Sequence, residues 1–173
     1  RSPARFDMDK LTNLNGHYMR AADDAQLCAL VAGRLSAMFG EPIGEEAEKR
    51  LDRGMAELKG RAKTLVELSQ NAAFYVRSRP LSLDSKAAKI LDGDAGGRLR
   101  RFHEILAGLD RWTAPEIEAA ARKFSDNEGI KLGMIAQPLR AALTGTNVSP
   151  GIFAVMEVLG RDETLGRIAD VYG

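Results

Sequence analysis

One feature constrains the fold before any other: apolar residues recur at helical spacing along nearly the whole chain, while the alternation expected of half-buried strands is almost absent. Asp23 and Asp24 can cap a helix in which Leu27, Leu30, Val31, Leu35 and Met38 form one apolar stripe, closed by Gly40 and Pro42. Gly44 to Tyr75 reads as two helices broken at Gly60, with Leu51, Met55 and Leu58 on the first and Leu65, Leu68 and Ala72 on the second. Arg79-Pro80 ends this run, because a proline pushes the residue before it away from helical angles. A short helix is expected from Asp84 to Leu91.

The glycine-rich stretch Asp92 to Gly97 is the strongest break in the sequence, and we expect two helical subdomains divided there, 1–92 and 93–173. Beyond it, Leu99, Phe102, Ile105, Leu106 and Leu109 make another apolar face. Thr113, Pro115 and Glu116 have the pattern of a capping box opening a helix that turns Ile117, Ala120, Ala121 and Phe124 inward. Leu139, Ala142 and Leu143 mark a short helix ended by Gly145. Ser149-Pro150 signals a cap and first turn for Gly151 to Leu159, and a last helix runs from about Asp162 to Val171. The expected fold class is all-α.

Composition narrows the chemistry. The 173 residues hold one cysteine, Cys28, and two histidines, His17 and His103, which leaves no disulfide framework and no cysteine-rich zinc site. No apolar run approaches the ~18 residues of a membrane-spanning helix, and no signal peptide is visible. Cys28 sits in an apolar stretch and reads as packing, as do the six methionines. Asp92 and Asp94 imitate the start of a calcium loop but put Gly96 and His103 where ligands belong. Gly54 to Arg61 lacks the Lys-Ser/Thr of a phosphate loop. No catalytic constellation emerges. Lys and Arg total 25 against 24 Asp and Glu, so an acidic partner has to be met by a local patch. Candidates are Arg98, Arg100 and Arg101; Arg77 and Arg79; and Arg53, Lys59, Arg61 and Lys63. Each reads first as a solvated face, and alternatively as helix-end cations around an interdomain cleft that holds a phosphate backbone.

Three stretches carry a family resemblance. Phe6-Asp-Met-Asp-Lys10-Leu11 through Asn15-Gly-His-Tyr18-Met-Arg20 resembles a "FDxxKLxWxNxxYIR" segment, with Asn13 where many members have tryptophan. Lys131-Leu-Gly133, Gln137-Pro-Leu-Arg140-Ala-Ala-Leu143-Thr-Gly145, Ser149-Pro-Gly-Ile152-Phe153 and Leu159-Gly-Arg161-Asp-Glu163 resemble "KxG…QPLRxALTG…SPGLFE…LGKE". Together these are similar to the C-terminal anticodon-binding region of bacterial glutamyl-tRNA synthetases, class I aminoacyl-tRNA synthetases. The resemblance implies two helical subdomains that hold a tRNA anticodon stem-loop. It implies a cytoplasmic, monomeric parent that ligates glutamate to tRNA with ATP and Mg²⁺. The family's "HIGH" and "KMSKS" signatures are absent here, so we expect a fragment without the catalytic half, inactive alone and needing no cofactor of its own.

Carried over by position, the resemblance makes Arg61, Arg140, Ser149, Pro150 and Ile152 the anticodon-binding residues, Ile152 standing for the common leucine. It implies that Ser149 and neighbouring backbone groups meet base edges while Pro150 and Ile152 offer apolar faces. Arg61 would read the third anticodon base. A guanidinium only donates, which suits the N3 and O2 acceptors of the C in glutamate anticodons and opposes the N1–H and N2–H₂ of the G in glutamine anticodons. By analogy with DNA readout, one bidentate contact discriminates by about 1–3 kcal/mol. An exposed helix-start arginine is the plainer reading of Arg61, and a helical protein-interaction domain, with Arg140 a structural ion-pair former, the alternative function. A DNA-reading helix-turn-helix fits less well, because no recognition helix rich in Arg, Asn and Gln follows a tight turn.

Overall fold

The computed structural model describes residues 8–172, with side chains from residue 15 onward. Phe6 and Asp7 of the first motif lie outside the described residues, as do the side chains of Lys10, Leu11 and Asn13. Ten helices and no strand occur among the described residues, as the all-α reading requires. They fall into two compact units that divide between Val76 and Arg77.

The first unit holds α1 (Met8–Ala21), α2 (Asp24–Phe39), α3 (Glu45–Lys59) and α4 (Leu65–Val76). Helices α2, α3 and α4 pack mutually around Leu27, Val31, Leu35, Leu51, Met55, Leu58, Leu68 and Ala72. The Asp23 carboxylate accepts from the Gln26 N–H at 3.0 Å and caps α2, and Gly40 ends it in a left-handed conformation at φ 75°. The stripe on α2 is narrower than its spacing suggests: Leu30 and Met38 are 54% and 52% exposed. Three small helices cannot surround a helix that is apolar on most of its circumference. Gly54 lets α3 approach α4, for a β-carbon there would stand 2.6 Å from the Tyr75 ring.

The second unit holds α5 (Ser85–Leu91), α6 (Ala95–Ala107), α7 (Ala114–Glu128), α8 (Gly133–Thr144), α9 (Ile152–Leu159) and α10 (Arg161–Tyr172). Helix α8 packs on α5, α6, α7, α9 and α10, and α10 also lies along α6 and α9. Their buried faces supply Leu99, Phe102, Leu106, Ile117, Ile135, Leu139, Val155, Met156 and Ile168. The Phe102 and Phe124 rings meet at 5.2 Å. Ile105 of the expected α6 face is turned to solvent.

The division between units lies sixteen residues before the expected break at 92/93. Residues Asp92 to Asp94 form only a tight turn, with Gly93 at φ 68°, and Gly96 and Gly97 already lie in α6. Ala95 and Leu99 are fully buried there, so the glycine run joins two helices of one core. Residues 77–84, which carry no helix, follow the division instead.

Two helix starts also depart from expectation. Thr113 makes no side-chain capping bond; the Ala114 N–H goes to Glu157 Oε2 at 2.8 Å, and Glu116 pairs with Arg111. The capping box is thus replaced by a carboxylate from α9. Helix α8 begins at Gly133, six residues before the expected apolar set, and runs through Pro138. Proline removes one backbone bond there, and the carbonyl released belongs to the exposed Met134, where water can satisfy it.

Candidate nucleic-acid interface

The α8–α9 turn brings four of the five expected site residues together. Helix α8 ends because Gly145 takes a left-handed conformation at φ 74°, its N–H bonding the Ala141 carbonyl. The following turn is tied by hydroxyls. Thr144 Oγ1 donates to the Arg140 carbonyl at 2.8 Å, and Thr146 Oγ1 donates to the Val148 carbonyl at 2.7 Å. Across the turn, Arg140 Nε donates to Ser149 Oγ at 3.0 Å, and Ser149 Oγ donates to the Pro150 carbonyl at 2.8 Å. Both side chains are half-buried, at the margin between core and solvent.

This geometry assigns Ser149 a different local task from the helix cap expected of it. Helix α9 starts at Ile152 with Gly151 as its cap residue, and the Ser149 hydroxyl orients the Arg140 guanidinium instead. A hydroxyl has one donor and two acceptor lone pairs, so one acceptor site is left beyond the two bonds described. Pro150 is buried and Ile152 is 3% exposed. The apolar faces expected there for bases are turned into the core, where Ile152 anchors α9. Val148, 68% exposed, is the apolar side chain that the turn presents to solvent.

Arg61 belongs to the first unit. It lies exposed in the turn after α3, its N–H bonded to the Leu58 carbonyl at 3.1 Å, and not at a helix start. Gly60 ends α3 as expected, in a right-handed conformation at φ −63°.

Most of the other basic candidates are engaged. Lys59 Nζ bridges Asp24 Oδ1 at 2.5 Å and the Ala22 carbonyl at 2.9 Å. Arg101 pairs through two nitrogens with Glu128, which raises the pKa of its guanidinium, and Arg98 pairs with Asp94 at 3.5 Å. Arg79 stands 3.9 Å from both Glu163 and Asp170. Their charge is largely met inside their own unit, which weakens them as phosphate contacts.

Sequence reasoning missed the threonines and one arginine. The run Thr144-Gly-Thr146 before Ser149 is a hydroxyl cluster of the kind that ties turns through side-chain-to-backbone bonds, and that was its signal. Among the described residues Arg167 is the largest fully buried side chain, and its pairing with Glu163 four residues earlier was legible as an i,i+4 couple. The methionines divide: Met55 and Met156 are buried, whereas Met38 and Met134 are exposed. His103 packs edge-on against Tyr172. Cys28 is held as a thiol, its pKa pushed up to about 11 by burial first and then by Asp52 and Asp24. Among the described residues, no group of three or more His, Cys, Asp or Glu is gathered as a metal would need. No described helix is long and apolar enough to cross a membrane.

The chain is 54% identical to "Glutamate--tRNA ligase 2" of Paramagnetospirillum magneticum, over 100% of its own length and 36% of the relative's. It is also 54% identical to the protein of that name from Rhodospirillum rubrum, over 98% of the chain and 36% of the relative. It spans about a third of these curated relatives. Among solved structures, a glutamate tRNA ligase from Elizabethkingia meningosepticum, crystallised with its amino acid, superposes with a TM-score of 0.80 at 23% identity. That match covers 99% of this chain and 33% of the other, and it establishes a shared fold. The family model described as "Anticodon binding domain" matches residues 25–172, so the chain belongs to the anticodon binding domain family.

Proposed function

We propose that the chain reads the anticodon stem-loop of tRNA(Glu) on behalf of an enzyme that ligates glutamate to tRNA. One observation carries the site: Arg140 and Ser149 meet at 3.0 Å on a turn at the solvent margin. RNA readers act on unpaired loops whose bases are splayed out. A guanidinium whose orientation is set by a serine loses less freedom on binding one of those bases, and the exposed Val148 supplies apolar contact beside it. Pro150 and Ile152 serve from beneath, holding the turn in place.

Arg61 supplies the discrimination in this reading. It favours C over G at the third anticodon position, and the parent enzyme therefore rejects tRNA(Gln). Family membership favours the RNA partner over a protein-interaction role. The parent acts as a cytoplasmic monomer, and ATP and Mg²⁺ are handled by the two thirds of the relatives' length that this chain does not span. This chain binds and orients RNA and takes no part in the chemical step.

Binding of a tRNA(Glu) anticodon stem-loop to the chain, measured across salt, tests the reading. We expect affinity to fall steeply with salt and R140A to bind less tightly. Salt-independent binding, or R140A matching the wild type, refutes it. For Arg61, the full-length parent carrying R61Q should gain activity on tRNA(Gln) relative to tRNA(Glu); an unchanged ratio removes Arg61 from the site.

A further inference from the structure

Arg167 is an interior cation in the second unit, with its side chain 0% exposed. Its nitrogens are met by acceptors from three parts of the unit. Its Nε donates to Glu163 Oε1 at 2.7 Å, its Nη1 to the Leu143 carbonyl at 2.7 Å, and its Nη2 to the Arg77 carbonyl at 3.2 Å. A buried ion pair is rarely more stabilising than apolar packing of the same volume, so stability by itself is a poor account of an arginine here.

The positions of the acceptors suggest another. The Leu143 carbonyl is in the last turn of α8, where carbonyls lack partners within the helix, two residues before Gly145. Arg77 begins the non-helical segment 77–84, and the far end of that segment is stitched to the same turn. The Asp84 N–H bonds the Gly145 carbonyl at 2.9 Å, and a β-carbon on Gly145 would stand 2.6 Å from the Ser82 carbonyl oxygen. Midway along, the Arg79 guanidinium lies over Gly166, beside Arg167 on α10. One buried side chain thus holds the end of α8 directly, and also holds one end of a strap whose other end grips the turn.

We infer that Arg167 is a positioning residue for the α8–α9 turn. It fixes the last turn of α8 and the strap from inside the core, and so sets the direction in which Arg140 and Ser149 face RNA without touching RNA itself. This rests on the anticodon-reading role proposed above.

The test uses the 173-residue chain and a tRNA(Glu) anticodon stem-loop. Arg167→Met keeps the length and removes the charge and donors. Folded R167M, checked by far-UV circular dichroism, should bind about tenfold to a hundredfold more weakly, the loss expected when one bidentate contact is misplaced. Its amide resonances for residues 145–149 should shift, while the slope of log affinity against log salt stays as in wild type, because Arg167 neutralises no phosphate. Folded R167M with wild-type affinity overturns the inference. Should R167M fail to fold, Arg167→Lys decides: it keeps a cation beside Glu163 and loses the fork that reaches the Leu143 and Arg77 carbonyls, so weakened binding supports the inference and wild-type binding overturns it. R140A marks the underlying role. If wild type does not bind the stem-loop, or R140A binds as wild type does, the anticodon reading itself has failed. If R140A weakens binding and folded R167M does not, only the positioning role has.

Discussion

The same substitution at the two ends of α8 should act with opposite sign. Gly145 sits at φ 74°, and its carbonyl accepts from the Asp84 N–H at 2.9 Å. Alanine in that left-handed conformation costs about 1–2 kcal/mol. Its β-carbon would also stand 2.6 Å from the Ser82 carbonyl oxygen, a backbone atom that cannot rotate aside. The strap must therefore move, and the Asp84 bond goes with it, about 0.5–1.5 kcal/mol more. Lower entropy of the unfolded chain returns roughly 0.4–1 kcal/mol. The balance is a net loss of about 1–3 kcal/mol.

Gly133, the first residue of α8, has open space where a β-carbon would go and a negative φ, so G133A should stabilise by up to about 1 kcal/mol. Urea unfolding followed by Trp112 fluorescence reads both. Trp112 is the single tryptophan, it lies in the second unit, and its indole N–H bonds the Met156 carbonyl at 2.8 Å. G145A should lower the midpoint with the slope unchanged, and G133A should raise it. A G145A protein as stable as wild type would refute the argument that this glycine is dictated by backbone geometry.

Further expectations concern single positions. G54A should destabilise the first unit by about 1 kcal/mol in a circular dichroism melt, because overpacking against Tyr75 outweighs the gain in helix propensity. Cys28 should resist iodoacetamide at neutral pH: with its pKa pushed up from 9.0 to about 11, the reactive thiolate is scarce there and its alkylation rate should climb only as pH approaches that value. Alkylation at the rate of an unfolded cysteine at pH 8 would contradict this. Glu157→Gln should weaken the start of α7 and shift the Trp112 signal, since the Glu157 carboxylate takes the Ala114 N–H and Met156 next to it holds the indole.

Much of the fold was legible because helix ends are local events. Asp23 caps where its sequence context says it should, and Gly40, Gly60 and Gly145 end helices where apolar spacing stops. Decisions made by tertiary partners were not legible. Glu157 takes over the cap that Thr113 and Glu116 spell out, and no local pattern announces a carboxylate arriving from another helix. The run Asp92 to Gly97 is flexible by composition, yet Ala95 and Leu99 commit it to one core. The site divides in the same way. Arg140 and Ser149 were legible as site residues only through the family resemblance, while their pairing across the turn and the burial of Pro150 and Ile152 depend on how α9 docks. Arg167 looks like a surface arginine until its acceptors, Leu143 and Arg77, are known.

The most direct test of the central claim is a resonance-perturbation map of the labelled chain during titration with a tRNA(Glu) anticodon stem-loop. The account predicts that the Arg140 Nε–H, the amides of Thr146 to Ser149 and the Arg61 side chain move first and furthest. Perturbations confined to other surfaces, such as the exposed Leu30 and Met38 face of α2, with the α8–α9 turn unmoved, would contradict it.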